Sequence, residues 1–218
     1  MQQNYIATVL ANGQSKRWGG NVSKSLAQWK GQSLIEHVIQ RLKEQSCPPG
    51  QIWINSSAEW VRQHLPDHIA LPDWHEKQNQ GPLSGMLSAL HKAPEQLHLF
   101  VPTDTPLLPL ELAKRLHRAL ASSDGVAAVA SVRNLDSKEP AQVQPCCCLI
   151  KGKAWPNLVN HLEQNNRSVL SWLKKIKAIE VEFDASLNTC FVNLNEPAQL
   201  QGLQEHLHAH CLHSPRVL

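Results

Sequence analysis

The chain is poor in the features that mark several protein classes. It has only 10 glycines in 218 residues, which excludes collagen-like and low-complexity chains. Charge of neither sign dominates. Lys plus Arg is 21 and Asp plus Glu is 18, a net charge of +3. That is too mild a bias to imply nucleic acid or an anionic membrane surface as partner. No apolar run approaches the ~18 residues of a transmembrane helix. The start, Met1 to Leu10, has no basic segment ahead of its short apolar run, so it does not read as a signal peptide. No Cys-x-x-Cys pair occurs among the six cysteines, and Cys146, Cys147 and Cys148 are adjacent, which is no disulfide framework. The expected compartment is the reducing cytoplasm. The P-loop and the G-x-G-x-x-G fingerprint are also missing.

What is present is alternation. Tyr5–Leu10, Gln51–Asn55, His68–Leu71, Leu97–Val101, Val126–Val132, Val143–Ile150 and Ile179–Phe183 read as strands, and Cys190–Val192 as extended. Amphipathic stretches separate them. Ser33 opens a helix carrying Leu34, Ile35, Val38, Ile39 and Leu42, with Glu36 in capping-box spacing. Further helices are expected over Ala58–Leu65, Pro82–Leu90, Pro109–Leu120, Trp155–Glu163, Val169–Lys174 and Glu196–His208. Strands alternating with helices predict a three-layer α/β/α sandwich, a doubly wound, Rossmann-like fold with a mostly parallel central sheet. Such sheets bind ligands at the carboxyl ends of their strands. Here those ends are polar: a Gly-rich basic loop after the first strand, then Asn55, Asp73 and Asp104. The residues alone therefore point to an α/β nucleotide-binding protein with phosphate chemistry.

The loop reads Leu10-Ala11-Asn12-Gly13-Gln14-Ser15-Lys16-Arg17-Trp18-Gly19-Gly20, and Lys24 follows. Together with Leu34-Ile35-Glu36-His37-Val38, Gly81-Pro82-Leu83-Ser84-Gly85, Val101-Pro102-Thr103-Asp104-Thr105-Pro106, Glu139-Pro140-Ala141, Arg167-Ser168-Val169 and Phe191-Val192-Asn193-Leu194-Asn195-Glu196-Pro197, it resembles the molybdenum cofactor guanylyltransferases, a MobA-like family of nucleotidyltransferases. The resemblance covers nearly the whole chain. It implies one domain, residues 1–218, with nucleotide held by about 1–108 and acceptor by about 109–218. It implies transfer of GMP from GTP to molybdenum-molybdopterin with release of pyrophosphate. Leu10, Ala11, Asn12 and Gly13 would line guanine and ribose, Arg17 and Lys24 the phosphates, and Asn55 and Asp73 two further nucleotide contacts. Asp104 would hold Mg²⁺. Gly81, Pro82, Arg167, Asn193 and Asn195 would face the acceptor. It further implies a monomer with transient contacts to molybdenum-insertion proteins and apo-molybdoenzymes.

The sequence departs from the family pattern at Asn12 (usually glycine), at Trp18 (usually methionine), in a longer Gly20–Lys24 segment, and at Ser23 before the lysine, where an aspartate is usual. Asn12 would either crowd the base or hydrogen-bond it. A CTP-dependent cytidylyltransferase and a non-catalytic cofactor carrier are the alternatives.

Three other features have plain structural readings. The cysteine triplet is expected in strand core, since adjacent strand residues point to opposite faces. The histidine-rich tail, His206 to His213, reads as a solvated helix end, and most of the seven tryptophans as packing. Trp74, beside Asp73, could instead stack on a base or pterin.

Overall fold

A computed structural model describes residues 4–12, 24–74, 81–133 and 140–194. Nine strands and six α-helices form among them. In chain order they are β1 (Tyr5–Leu10), β2 (Gln28–Trp29), β3 (Gln32–Ser33), α1 (Leu34–Lys43), β4 (Gln51–Asn55), α2 (Ala58–His64), β5 (Ile69–Ala70), α3 (Pro82–Lys92) and β6 (Leu97–Pro102). There follow α4 (Leu112–Ala121), β7 (Ala127–Val132), β8 (Gln142–Lys151), α5 (Trp155–Glu163), α6 (Val169–Lys175) and β9 (Ile179–Phe183).

The seven-stranded sheet runs β5-β4-β1-β6-β8-β7-β9. Every neighbouring pair is parallel except the two that involve β8. β1 is central and wholly buried, which suits its continuous apolar run. Its alternating side chains serve two cores. Tyr5, Ala7 and Val9 join the buried faces of α1, α2 and α4, whereas Ile6 and Leu10 join those of α3, α5 and α6. This is the expected three-layer sandwich.

α1 starts as its sequence predicts. The backbone N–H of Ser33 donates to Glu36 at 2.7 Å, while Ser33 Oγ accepts from the Glu36 N–H at 3.4 Å. The Ser33 hydroxyl also donates to the Glu36 carboxylate at 2.5 Å, and this bond first, then that from the Ser33 N–H, holds the Glu36 carboxyl below its ordinary pKa.

Four details differ from expectation. The β5 strand is shorter, because only Ile69 and Ala70 pair with β4. The helix expected from Pro109 starts at Leu112, three residues later. Cys190 belongs to a 3₁₀ turn, Ala185–Phe191, and not to an extended segment. The antiparallel β2–β3 hairpin was not expected. Its two-residue turn is Lys30-Gly31, with φ of 48° and 82°, the double left-handed geometry of tight hairpins. The expected helix from Glu196 lies outside the described residues.

Candidate active site

A cavity of about 580 Å³ opens at the carboxyl ends of β1, β4 and β6. Its lining includes Leu10, Asn12, Lys24, Asn55, Gly81, Pro82, Asp104 and Asn193, drawn from across the chain. Eight of the anticipated site residues thus meet at one place.

On the β4 side, Asn55 ends its strand and is 2% exposed. Its amide donates to the Leu71 carbonyl at 3.0 Å and to Asp73 Oδ1 at 2.9 Å. Asn12 Nδ2 donates to Asp73 Oδ2 at 2.8 Å. Each oxygen of the Asp73 carboxylate therefore holds one amide donor. Ala11 is buried in core, and its N–H donates to the Asn55 carbonyl at 3.1 Å, so it supports this corner from behind. Gly85 of α3 packs against Asn55 so closely that a Cβ there would collide with the Asn55 amide. Gly81, at the start of α3, has φ +67°, a conformation that favours glycine.

On the β6 side, Asp104 follows the strand in a turn. Lys24 Nζ lies 2.8 Å from Asp104 Oδ2, with side chains 17% and 21% exposed. The Leu194 N–H donates to the Asp104 carbonyl at 2.8 Å, and Thr105 Oγ1 donates to Asn193 Oδ1 at 2.9 Å. A small apolar cluster of Ala27, Trp29, Leu34, Leu107 and Leu194 lies beneath, tying the β2–β3 hairpin to the segments that carry Lys24, Asp104 and Asn193. Late residues of the chain are thus anchored beside the acidic turn of β6.

The third wall comes from β8, and this part was missed in the sequence. Val129 pairs with Cys148, but the next residue, Ala130, pairs with Gln144. Pro145, Cys146 and Cys147 bulge out between them, and with Gln144 they line the cavity. The signal available was Pro145, since proline inside a strand marks an edge or a bulge. The cysteine triplet is core only in part. Cys147 and Cys148 are buried in opposite cores, as strand alternation requires, but half-buried Cys146 faces the cavity. Burial, and next the Asp104 charge, push the Cys146 thiol up to about 12. The wall opposite Lys24 is consequently neutral at physiological pH.

Some anticipated residues stand elsewhere. Arg167 is exposed between α5 and α6 and is not among the lining residues. Trp74 stacks on His91 with ring centroids 4.4 Å apart, and Trp155 meets His91 edge-on at 5.0 Å, so one face of Trp74 is already covered. Gly13, Arg17, Trp18, Asn195 and the histidine-rich tail lie outside the described residues.

Polar groups at parallel-strand ends, with a lysine and a carboxylate across one cleft, define a phosphate-handling nucleotide site. Residues 7–178 match the MobA-like NTP transferase domain. The chain is 32% identical to a molybdenum cofactor guanylyltransferase of Pasteurella multocida over 204 residues, covering 92% of this chain and all of that protein. It is 34% identical to one from Shewanella loihica over 205 residues, covering 94% of this chain and 98% of that protein. The crystal structure of molybdopterin-guanine dinucleotide biosynthesis protein A from Archaeoglobus fulgidus superposes with a TM-score of 0.66 at 18% identity, covering 93% of this chain and 98% of that one. This chain belongs to the MobA-like NTP transferase family and is a nucleotidyltransferase.

Proposed function

We propose that the protein transfers GMP from GTP to the terminal phosphate of molybdenum-molybdopterin, releasing pyrophosphate. The observation that carries this reading is the cleft itself, where the Lys24–Asp104 pair shares one cavity with Asn12 and Asn55, the two amides that hold Asp73.

A phosphate oxygen of the acceptor attacks the α-phosphorus of GTP in line. A new O–Pα bond forms, and the bond from Pα to the bridging oxygen breaks, so that pyrophosphate departs with those electrons. The nucleophile is already an anion, so no protein base is required. Positioning and charge neutralisation then account for the catalysis.

Lys24 neutralises phosphate charge, and Arg17 does so from the glycine-rich loop. Leu10, Ala11, Asn12 and Gly13 line guanine and ribose, and Asn55 and Asp73 complete the nucleotide pocket. Asp104 would hold the divalent cation, with Mg²⁺ the expected ion. Among the described residues no three His, Cys, Asp or Glu side chains cluster to hold a metal. A single carboxylate with substrate oxygens and waters is the donor set Mg²⁺ favours. When bound, the cation polarises the α-phosphate.

Gly81, Pro82, Asn193 and Asn195 face the acceptor. Residues from about 1–108 serve mainly the nucleotide and about 109–218 mainly the acceptor within one domain, with Gly81 and Pro82 reaching across to the acceptor. The protein acts as a cytoplasmic monomer that meets molybdenum-insertion proteins and apo-molybdoenzymes transiently. Among the described residues no helix is long and apolar enough to cross a membrane.

The test is pyrophosphate release from GTP, CTP or ATP in the presence of molybdenum-molybdopterin, with Mg²⁺ or with a chelator. Release from GTP that requires both acceptor and cation supports the reading. Preference for CTP moves the protein to cytidylyl transfer, and cofactor binding without release makes it a carrier.

A further inference from the structure

The segment at Asn193 meets the acidic turn after β6 at two points. The Leu194 N–H donates to the Asp104 carbonyl at 2.8 Å, which fixes the backbone beside Asn193. Thr105 Oγ1 donates to Asn193 Oδ1 at 2.9 Å, across 88 residues of chain. Thr105 is 1% exposed, so water cannot replace Asn193 as the partner of its hydroxyl. Asn193 is exposed and lines the cavity.

This buried hydroxyl decides which way the amide faces. An asparagine side chain has an acceptor oxygen and a donor NH₂, and a flip exchanges them. The threonine hydroxyl has a single hydrogen to give. In the structure that hydrogen goes to Asn193 Oδ1, which leaves the Nδ2 hydrogens for the cleft. After a flip, Nδ2 would donate to Thr105 Oγ1, and the hydroxyl hydrogen would have to turn to Asp104 Oδ1, 3.5 Å away. That is too long for a good O–H···O bond, and a buried donor without a partner is costly. One orientation therefore holds.

The Thr105 hydroxyl lies between Asn193 and Asp104, so the amide stands one side chain away from the carboxylate of the proposed reaction centre. The part of the acceptor that must come closest to Asp104 is its attacking phosphate. Ionised phosphate oxygens only accept. An NH₂ group meets them with a charge-assisted hydrogen bond, whereas a flipped amide would set its oxygen lone pairs against them.

We infer that Thr105 is a positioning residue, whose buried hydroxyl locks the Asn193 amide with its NH₂ toward the cleft as a donor to the terminal phosphate of the acceptor. The inference rests on the proposed guanylyl transfer and adds the residue that orients its acceptor side.

The test is a double-mutant cycle over Thr105→Val and Asn193→Ala, with Thr105→Ser as the conservative variant. Molybdopterin binding is measured by calorimetry without nucleotide, and KM is measured for both substrates. Thr105→Val should weaken molybdopterin binding, and raise the acceptor KM, by about tenfold, the scale of one hydrogen bond to a charged group. The GTP KM should stay near the wild-type value, which also shows that the variant is folded. Thr105→Ser keeps the hydroxyl and should restore acceptor binding. In the Asn193→Ala background Thr105→Val should cost nothing more, because the hydroxyl acts only through the amide. Should the valine variant fail to fold, Thr105→Ala takes its place in the cycle. An equal loss from Thr105→Val in both backgrounds, or a serine variant no better than valine, overturns the inference alone. A wild type that binds GTP but not molybdopterin overturns the guanylyl reading and this inference with it.

Discussion

On the β4–β1 side of the cleft, Asn12, Asn55 and Asp73 hydrogen-bond one another, while on the β8 side Gln144, Pro145 and Cys146 present a wall with no charged side chain. The first side is made by short loops leaving parallel strands, each contributing one polar residue. The second is made by a defect in β8, the one strand antiparallel to its neighbours among the described residues of the large sheet, where three residues are extruded. Polar groups that pair with one another keep a fixed geometry, which suits selection of one base. A neutral wall suits a polyanionic acceptor, because a thiolate there would repel it. The Lys24–Asp104 pair lines the same cleft, and the proposed reaction assigns it the balancing of charge.

Removing either member of that pair should have the largest effect, since both sides depend on it. Asp104→Ala and Lys24→Ala should each lower turnover by about 10²–10³, the scale set by loss of one preorganised electrostatic group. Both side chains are partly exposed, so melting temperatures should move little. Near-wild-type turnover in both purified variants would rule out these roles.

A smaller effect is expected from Gly85→Ala, which strikes the β4 side alone. The new Cβ displaces the Asn55 amide and thereby frees Asp73 Oδ1. Overpacking of this kind costs ~1–3 kcal/mol of stability. Nucleotide KM should rise about tenfold, while acceptor KM changes far less. An equal rise in both constants would show that the two sides are not separable.

The opposite side can be probed through its thiol. Burial and the Asp104 charge both raise the Cys146 pKa, so alkylation in the folded protein should be slow at pH 8. Asp104→Asn removes one of the two causes and should speed modification of Cys146 several-fold, as read by peptide mass spectrometry. About tenfold in thiolate follows for each pKa unit recovered. If Asp104→Asn leaves the rate unchanged, the carboxylate and the wall are electrically independent.

This contrast also explains what the sequence disclosed. Residues whose role depends on their own strand were legible. The apolar run of β1, the capping box of α1 and the polar ends Asn55, Asp73 and Asp104 all follow from local pattern. Features that depend on a partner were not. The bulge at Pro145–Cys147 exists because β7 and β8 lose register, and no pattern within β8 reports its partner's spacing. The approach of Gly85 to Asn55 is likewise a property of how α3 packs on the sheet. Arg167 shows the converse. It matched a family segment, yet the fold leaves it exposed and outside the cavity lining. The Cys190 segment took a 3₁₀ turn for a related reason. Its apolar residues pack as a buried cap, with Phe191 5.2 Å from Phe183, a contact that alternation along the chain cannot reveal.

The smallest predicted effect tests whether acid acts on the cleft or on the floor beneath it. His98 lies near the start of β6, at the opposite end of the strand from the Asp104 turn, and is fully buried. One ring nitrogen, Nε2, donates to the Ala93 carbonyl at 2.8 Å, and the ring packs near Trp53 and Phe100. Burial holds its pKa below the usual histidine value, and the Ala93 bond offsets this only in part. The unfolded chain therefore binds a proton on this residue at a higher pH than the folded one does. Stability should be unaffected by His98 above an unfolded pKa of ~6.5, and should fall as pH drops from there toward the depressed folded value. His161, 1% exposed and also shifted downward, contributes in the same direction. His98→Gln removes the titration and retains a donor for Ala93. Urea midpoints between pH 7.5 and 5 should decline less steeply in this variant than in the wild type. Lys24→Ala and Asp104→Ala, measured over the same range, should parallel the wild type, because their cleft lies at the far end of the strand. An acid slope that follows the cleft variants and ignores His98→Gln would place the pH-sensitive element at the active site and not in the core.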